Sequence, residues 1–87
     1  MKITFNRNIQ FTKLMKVRGR LKEFNFRKSN ASLEGTVSVD TIDDRGNRIM
    51  FFMENHDGTW KIMPQELPGW IIEQEPNLSE ALKGEIG

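Results

Sequence analysis

Between Ile3 and Leu21 the odd positions include Ile3, Phe5, Ile9, Phe11, Met15, Val17 and Leu21, while the even positions are mainly polar. A repeat of two sends successive side chains to opposite faces of an extended chain, so this segment reads as β-strand with one face turned to a core. The alternation is cleanest from 15 to 22, where Met15, Val17 and Leu21 are expected to point inward and Lys16, Arg18, Arg20 and Lys22 outward. Leu14, Val17, Leu21 and Phe24 also fall at helical spacing. Gly19 lies inside that span, however, and costs a helix about 1 kcal/mol relative to alanine, which favours the strand.

Beyond Leu21 the apolar phase moves to even positions, Phe24 and Phe26, which calls for a bulge or turn near Lys22 and Glu23, a bend for which Gly19 is a further candidate. Residues 28–35 are turn-rich, and Val37, Val39 and Thr41 then alternate as a second strand. Asp43 to Asn47 forms the next break, and the stretch from Arg48 to Glu54 is apolar on both faces, as expected of a central strand covered on each side. Asn55-His56-Asp57-Gly58 reads as a hairpin turn leading to a strand over 59–63 that presents Trp60 and Ile62 together. Pro64 and Pro68 end strand character, and Trp70, Ile71 and Ile72 suggest a short helical turn closed by Pro76. Asn77 with Glu80 resembles a capping box, and Leu78, Ala81, Leu82 and Ile86 recur at helical spacing in a terminal acidic helix.

The expected fold is therefore α+β: an antiparallel β-meander of about four or five strands, its inner face covered by a short C-terminal helical segment spanning 66–86. Trp60, Trp70, Phe51 and Ile62 are the expected core. At 87 residues the chain forms a single domain, 1–87. It has no cysteine, which fits a reducing cytoplasm, and its longest apolar run, Ile49 to Met53, is far short of the ~18 residues of a membrane span. The basic N-terminus is followed by no continuous apolar stretch, so no secretory leader is expected, and the triplets at Asn30 and Asn77 read as chance matches to a glycosylation signal.

Charge supplies the functional lead. The first 33 residues hold nine basic side chains against one acid, Glu23, a net of +8, while residues 34–87 hold four against eleven, a net of −7. On one strand, Lys16, Arg18, Arg20 and Lys22 repeat every ~6.7 Å and make a line of roughly 20 Å. Neighbours in such a line repel by about 0.6 kcal/mol each in water, so an anionic group is expected nearby. Three sources present themselves: acids of this chain such as Asp40, Glu73, Glu75, Glu80 and Glu85; a phosphate backbone gripped also by Arg27 and Lys28, with Phe24 or Phe26 stacking on bases; or an acidic protein surface, including that of a second copy in a homodimer. Catalysis is poorly provided for, with one histidine, His56, in a turn, no cysteine and no tyrosine. No cofactor or metal motif is present, and a non-enzymatic binding or accessory protein is the expectation.

Overall fold

In the computed structural model, which describes residues 9–28 and 35–85, the N-terminal alternation belongs to two strands and not to one. Strands β1 (Ile9–Val17) and β2 (Arg20–Lys28) run antiparallel, joined by Arg18 and Gly19. Both turn residues have positive φ, 49° and 84°, the signature of a type I′ turn, whose twist matches that of the flanking strands. The expected strand through Gly19 is thus corrected: the chain reverses there. Val17 stands opposite Arg20 on the same face, so the inward positions change from odd to even at the turn, and no bulge at Lys22 and Glu23 is needed. Leu21, expected inward, is 70% exposed on the outer face, and Lys22 takes the inner position. The alternation over 3–8, the turn-rich stretch 29–34 and Ile86 lie outside the described residues.

Strands β3 (Thr36–Ile42), β4 (Arg48–His56) and β5 (Thr59–Ile62) continue the meander in the spatial order β1-β2-β3-β4-β5, a five-stranded antiparallel sheet curled into a half-barrel. Asp43 organises the β3–β4 turn by accepting the backbone N–H groups of Arg45 and Asn47 at 2.9 and 2.8 Å. Asp57 and Gly58, at φ 53° and 93°, make a second two-residue turn, and Asn55 Oδ1 accepts the N–H of Gly58 at 2.7 Å. β4 is not covered on both faces as its sequence suggests, and the middle strand is β3. Phe51 and Met53 are fully buried, but Met50 and Phe52 are 53% and 43% exposed, because the helices cover only the inner face.

Residues 63–68 lead to helix α1 (Gly69–Ile72) and helix α2 (Glu75–Glu85). α2 starts earlier than the Asn77 capping box predicts, and Pro76 sits in its first turn instead of closing the preceding piece. Proline is tolerated there because a first-turn N–H has no intrahelical acceptor to lose. Asn77 instead donates its side-chain amide to Gln74 Oε1 at 2.9 Å. Ile71, Leu78 and Leu82 enter the core with Val17, Phe24, Phe26, Val37, Val39, Phe51, Met53 and Trp60. Each large apolar side chain buried this way contributes about 1.5–3 kcal/mol. Trp70 and Ile62, expected in the core, are partly buried and pack against it.

Candidate functional site

Because β1 and β2 form a hairpin, the basic row does not lie along one strand. Lys16 stands opposite Leu21 on the outer face, whereas Arg20 and Lys22 share the inner face with Val17 and Met15, and Arg18 occupies the turn. The expected line of four cations is therefore corrected to a cluster of three at one end of the half-barrel, with Lys16 on the other side of the sheet.

That cluster surrounds two carboxylates. Arg18 donates from Nε and Nη2 to Glu73 Oε1 and Oε2 at 3.1 and 2.6 Å, a bidentate pair tying the hairpin tip to the end of α1. This hydrogen bonding, reinforced by charge, holds the Glu73 carboxyl below its ordinary value and raises the Arg18 guanidinium. Lys22 Nζ donates to Asp44 Oδ1 at 2.6 Å, and Arg20 lies 3.4 Å from the same oxygen. The bond from Lys22 is the main reason the Asp44 carboxyl is held down, with Arg20 adding by charge. Lys22 also lies 5.1 Å above the Trp70 ring, and Phe24 packs against that ring at a tilt. A shallow depression of about 250 Å³ opens here, floored by Val17 and Trp70.

The other candidates are dispersed. Phe24 and Phe26 are 0% and 1% exposed, so the rings proposed for base stacking are core residues, Phe26 lying parallel to Phe11 with centroids 4.6 Å apart. Arg27 is exposed on the outer face, beside a second depression of about 340 Å³ that also includes Gln10, Thr12, Asn25 and the Asp40–Arg48 ion pair. Lys28 is at the far end of β2, opposite Ile9. His56 faces Glu54 at 2.5 Å on the exposed end of β4. Among the described residues no group of three His, Cys, Asp or Glu side chains is placed to hold a metal ion, and no helix is long and apolar enough to cross a membrane.

The two edges of the sheet are treated differently, a feature the sequence reading missed. In the β4–β5 hairpin, His56 and Thr59 flank a two-residue turn, so the N–H groups of Trp60 and Ile62 point away from β4. Helix α2 meets both: Ser79 Oγ accepts from Trp60 at 3.0 Å and Glu75 Oε2 from Ile62 at 2.8 Å. At the opposite edge, among the described residues, β1 has β2 as its one strand neighbour. The turn at Arg18 and Gly19 makes Val17 and Arg20 a hydrogen-bonded pair, so Gln10, Thr12, Leu14 and Lys16 turn their backbone N–H and C=O groups outward. No hydrogen bond reaches these groups among the described residues. On the outer face of this edge hairpin, Leu14 and Leu21 are 65% and 70% exposed. No protein family, curated protein or solved structure matches the chain.

Proposed function

We propose that this protein is a non-enzymatic binding module that takes an extended protein segment at the free edge of β1. The observation that carries this reading is the contrast between edges: α2 side chains cap the outward N–H groups of β5, while β1 offers four residues with outward backbone groups. A row of unpaired strand groups is a template for strand addition, in which main-chain hydrogen bonds supply affinity and alternate side chains supply selectivity. Matching of Arg18, Arg20 and Lys22 by Glu73 and Asp44 leaves less cationic character for a phosphate backbone, which is why a protein partner is favoured over nucleic acid.

The test is selection of extended peptides from a displayed random library against the whole chain, followed by mapping of backbone amide shifts. Binders are expected to perturb Gln10, Thr12, Leu14 and Lys16 and to lose binding to Leu14→Pro. Perturbations confined to other strands would refute the reading. So would tight, steeply salt-dependent binding of mixed-sequence oligonucleotides that Leu14→Pro leaves unchanged.

A further inference from the structure

We propose that β1 pairs antiparallel with β1 of a second copy, about a two-fold axis at Leu14, joining two five-stranded sheets into one. This rests on the strand-addition reading and names its partner. Leu14 has outward backbone groups, so at such an axis it exchanges two N–H to O=C bonds with its own counterpart, a self-complementary contact of the kind two-fold dimers require.

Charge and apolar surface select this register. An axis at Lys13 would set two ammonium groups directly opposite each other. The axis at Leu14 instead places Thr12 opposite Lys16, Lys13 opposite Met15 and Phe11 opposite Val17 of the second copy, with no like charges opposed. It also brings the two Leu14 side chains together on the outer face. Leu21 sits diagonally across from Leu14 in the hairpin, so these two exposed leucines of each copy join in one apolar strip.

The inner side has room for the incoming strand. A cleft of about 540 Å³ lies between β1 residues 13–16 and Asn77, Glu80 and Ala81 of α2. Lys13 of the second copy, opposite Met15, enters this cleft beside Glu80, which lies 3.5 Å from Lys83 and keeps 74% of its side chain exposed, and in doing so exchanges the 3.2 Å pair that Lys13 makes with Glu85 of its own copy. The two-fold axis repeats that complementary contact in the other direction.

Sedimentation equilibrium over a wide concentration series tests the pairing, with twice the 10.1 kDa chain mass expected as concentration rises. Leu14→Pro removes an N–H that β2 does not use and should leave a folded monomer. Leu14→Glu gives a second monomeric variant, because it opposes two carboxylates at the axis without touching the core. The chain has no cysteine, so Leu14→Cys is a clean reporter. Hydrogen-bonded antiparallel partners stand about 5.5 Å apart at Cα, within disulfide reach, and oxidation should give at least about tenfold more covalent dimer than Leu21→Cys on β2.

A wild-type chain that stays monomeric throughout overturns the pairing. If such a monomer still binds selected peptides at β1, the strand-addition reading survives without it. A dimer that persists in both Leu14→Pro and Leu14→Glu, or equal crosslinking through Leu14→Cys and Leu21→Cys, overturns the β1 pairing in favour of another surface. If the peptides also fail to map to β1, both readings fall.

Discussion

Ser79 Oγ accepts the backbone N–H of Trp60 at 3.0 Å, a bond that carries helix α2 across to the edge of β5. Ser79 is 4% exposed, so Ser79→Ala leaves a buried donor with neither protein nor bulk water to receive it. The expected cost is about 1–3 kcal/mol. For a domain of this size each 1 kcal/mol lowers Tm by about 4–8 °C, which a calorimetric scan resolves. Glu75→Gln keeps an oxygen acceptor for Ile62 and should change stability far less. A Ser79→Ala variant that melts with the wild type would show that the hydroxyl does not hold the edge.

Two glycines should respond in opposite directions. Gly19 lies at φ 84°, where an added Cβ is strained even though no atom lies within 4 Å of it. Gly19→Ala is expected to destabilise by about 1–2 kcal/mol. Gly84 lies in α2 without positive φ and with open space around the Cβ position, so Gly84→Ala should stabilise by about 0.5–1 kcal/mol. Urea unfolding of the two variants checks the sign of each change. A neutral Gly19→Ala would mean that the hairpin tolerates another turn geometry.

The same turn marks where the sequence could and could not be read. The meander, the inward Val37, Val39 and Phe51, the Trp60 strand and a C-terminal helical cover were all legible, because period two and turn residues reflect burial on one face. The hairpin at Arg18 was hidden by two residues. Arginine is a poor marker for the first position of a type I′ turn, which favours asparagine, aspartate or glycine. Leu21, apolar but exposed, prolonged the odd-position pattern past the reversal and moved the apparent phase change to Lys22 and Glu23. The basic row followed from that displacement. The free edge was invisible for another reason: which strand ends a sheet is set by topology, not by local pattern.

Lys16 and Lys22, alike in the apparent row, should differ as variants. Lys22 has a side chain 14% exposed, bonds Asp44 and lies over Trp70. Lys22→Ala removes the ion pair, the cation–π contact and the packing of the aliphatic stem, for a loss of about 1–2 kcal/mol. Lys16 is exposed on the outer face, and Lys16→Ala should fall within about 0.5 kcal/mol of the wild type. Denaturant midpoints at low protein concentration measure the contrast without interference from self-association. Equal losses would contradict the separation of the two lysines onto opposite faces.

Acid should loosen the open end of the half-barrel first. Asp44 and Glu73 are held below their ordinary values of 3.8 and 4.5, chiefly by hydrogen bonds from Lys22 and Arg18, and Asp43 is held down by the backbone N–H of Asn47. Since folding lowers these pKa values, the folded state binds fewer protons than the unfolded chain in this range. The resulting stabilisation is complete above the ordinary values and is lost as pH falls through the depressed ones. Asp44→Asn combined with Glu73→Gln removes two of the three groups, so the gap between wild-type and variant Tm should be widest near neutral pH and should close only as pH falls through the depressed values. These pairs are exposed, so added salt should also narrow the gap at neutral pH. Two Tm curves that run parallel from neutral to acid pH would show that Arg18 and Lys22 do not hold these carboxylates in solution.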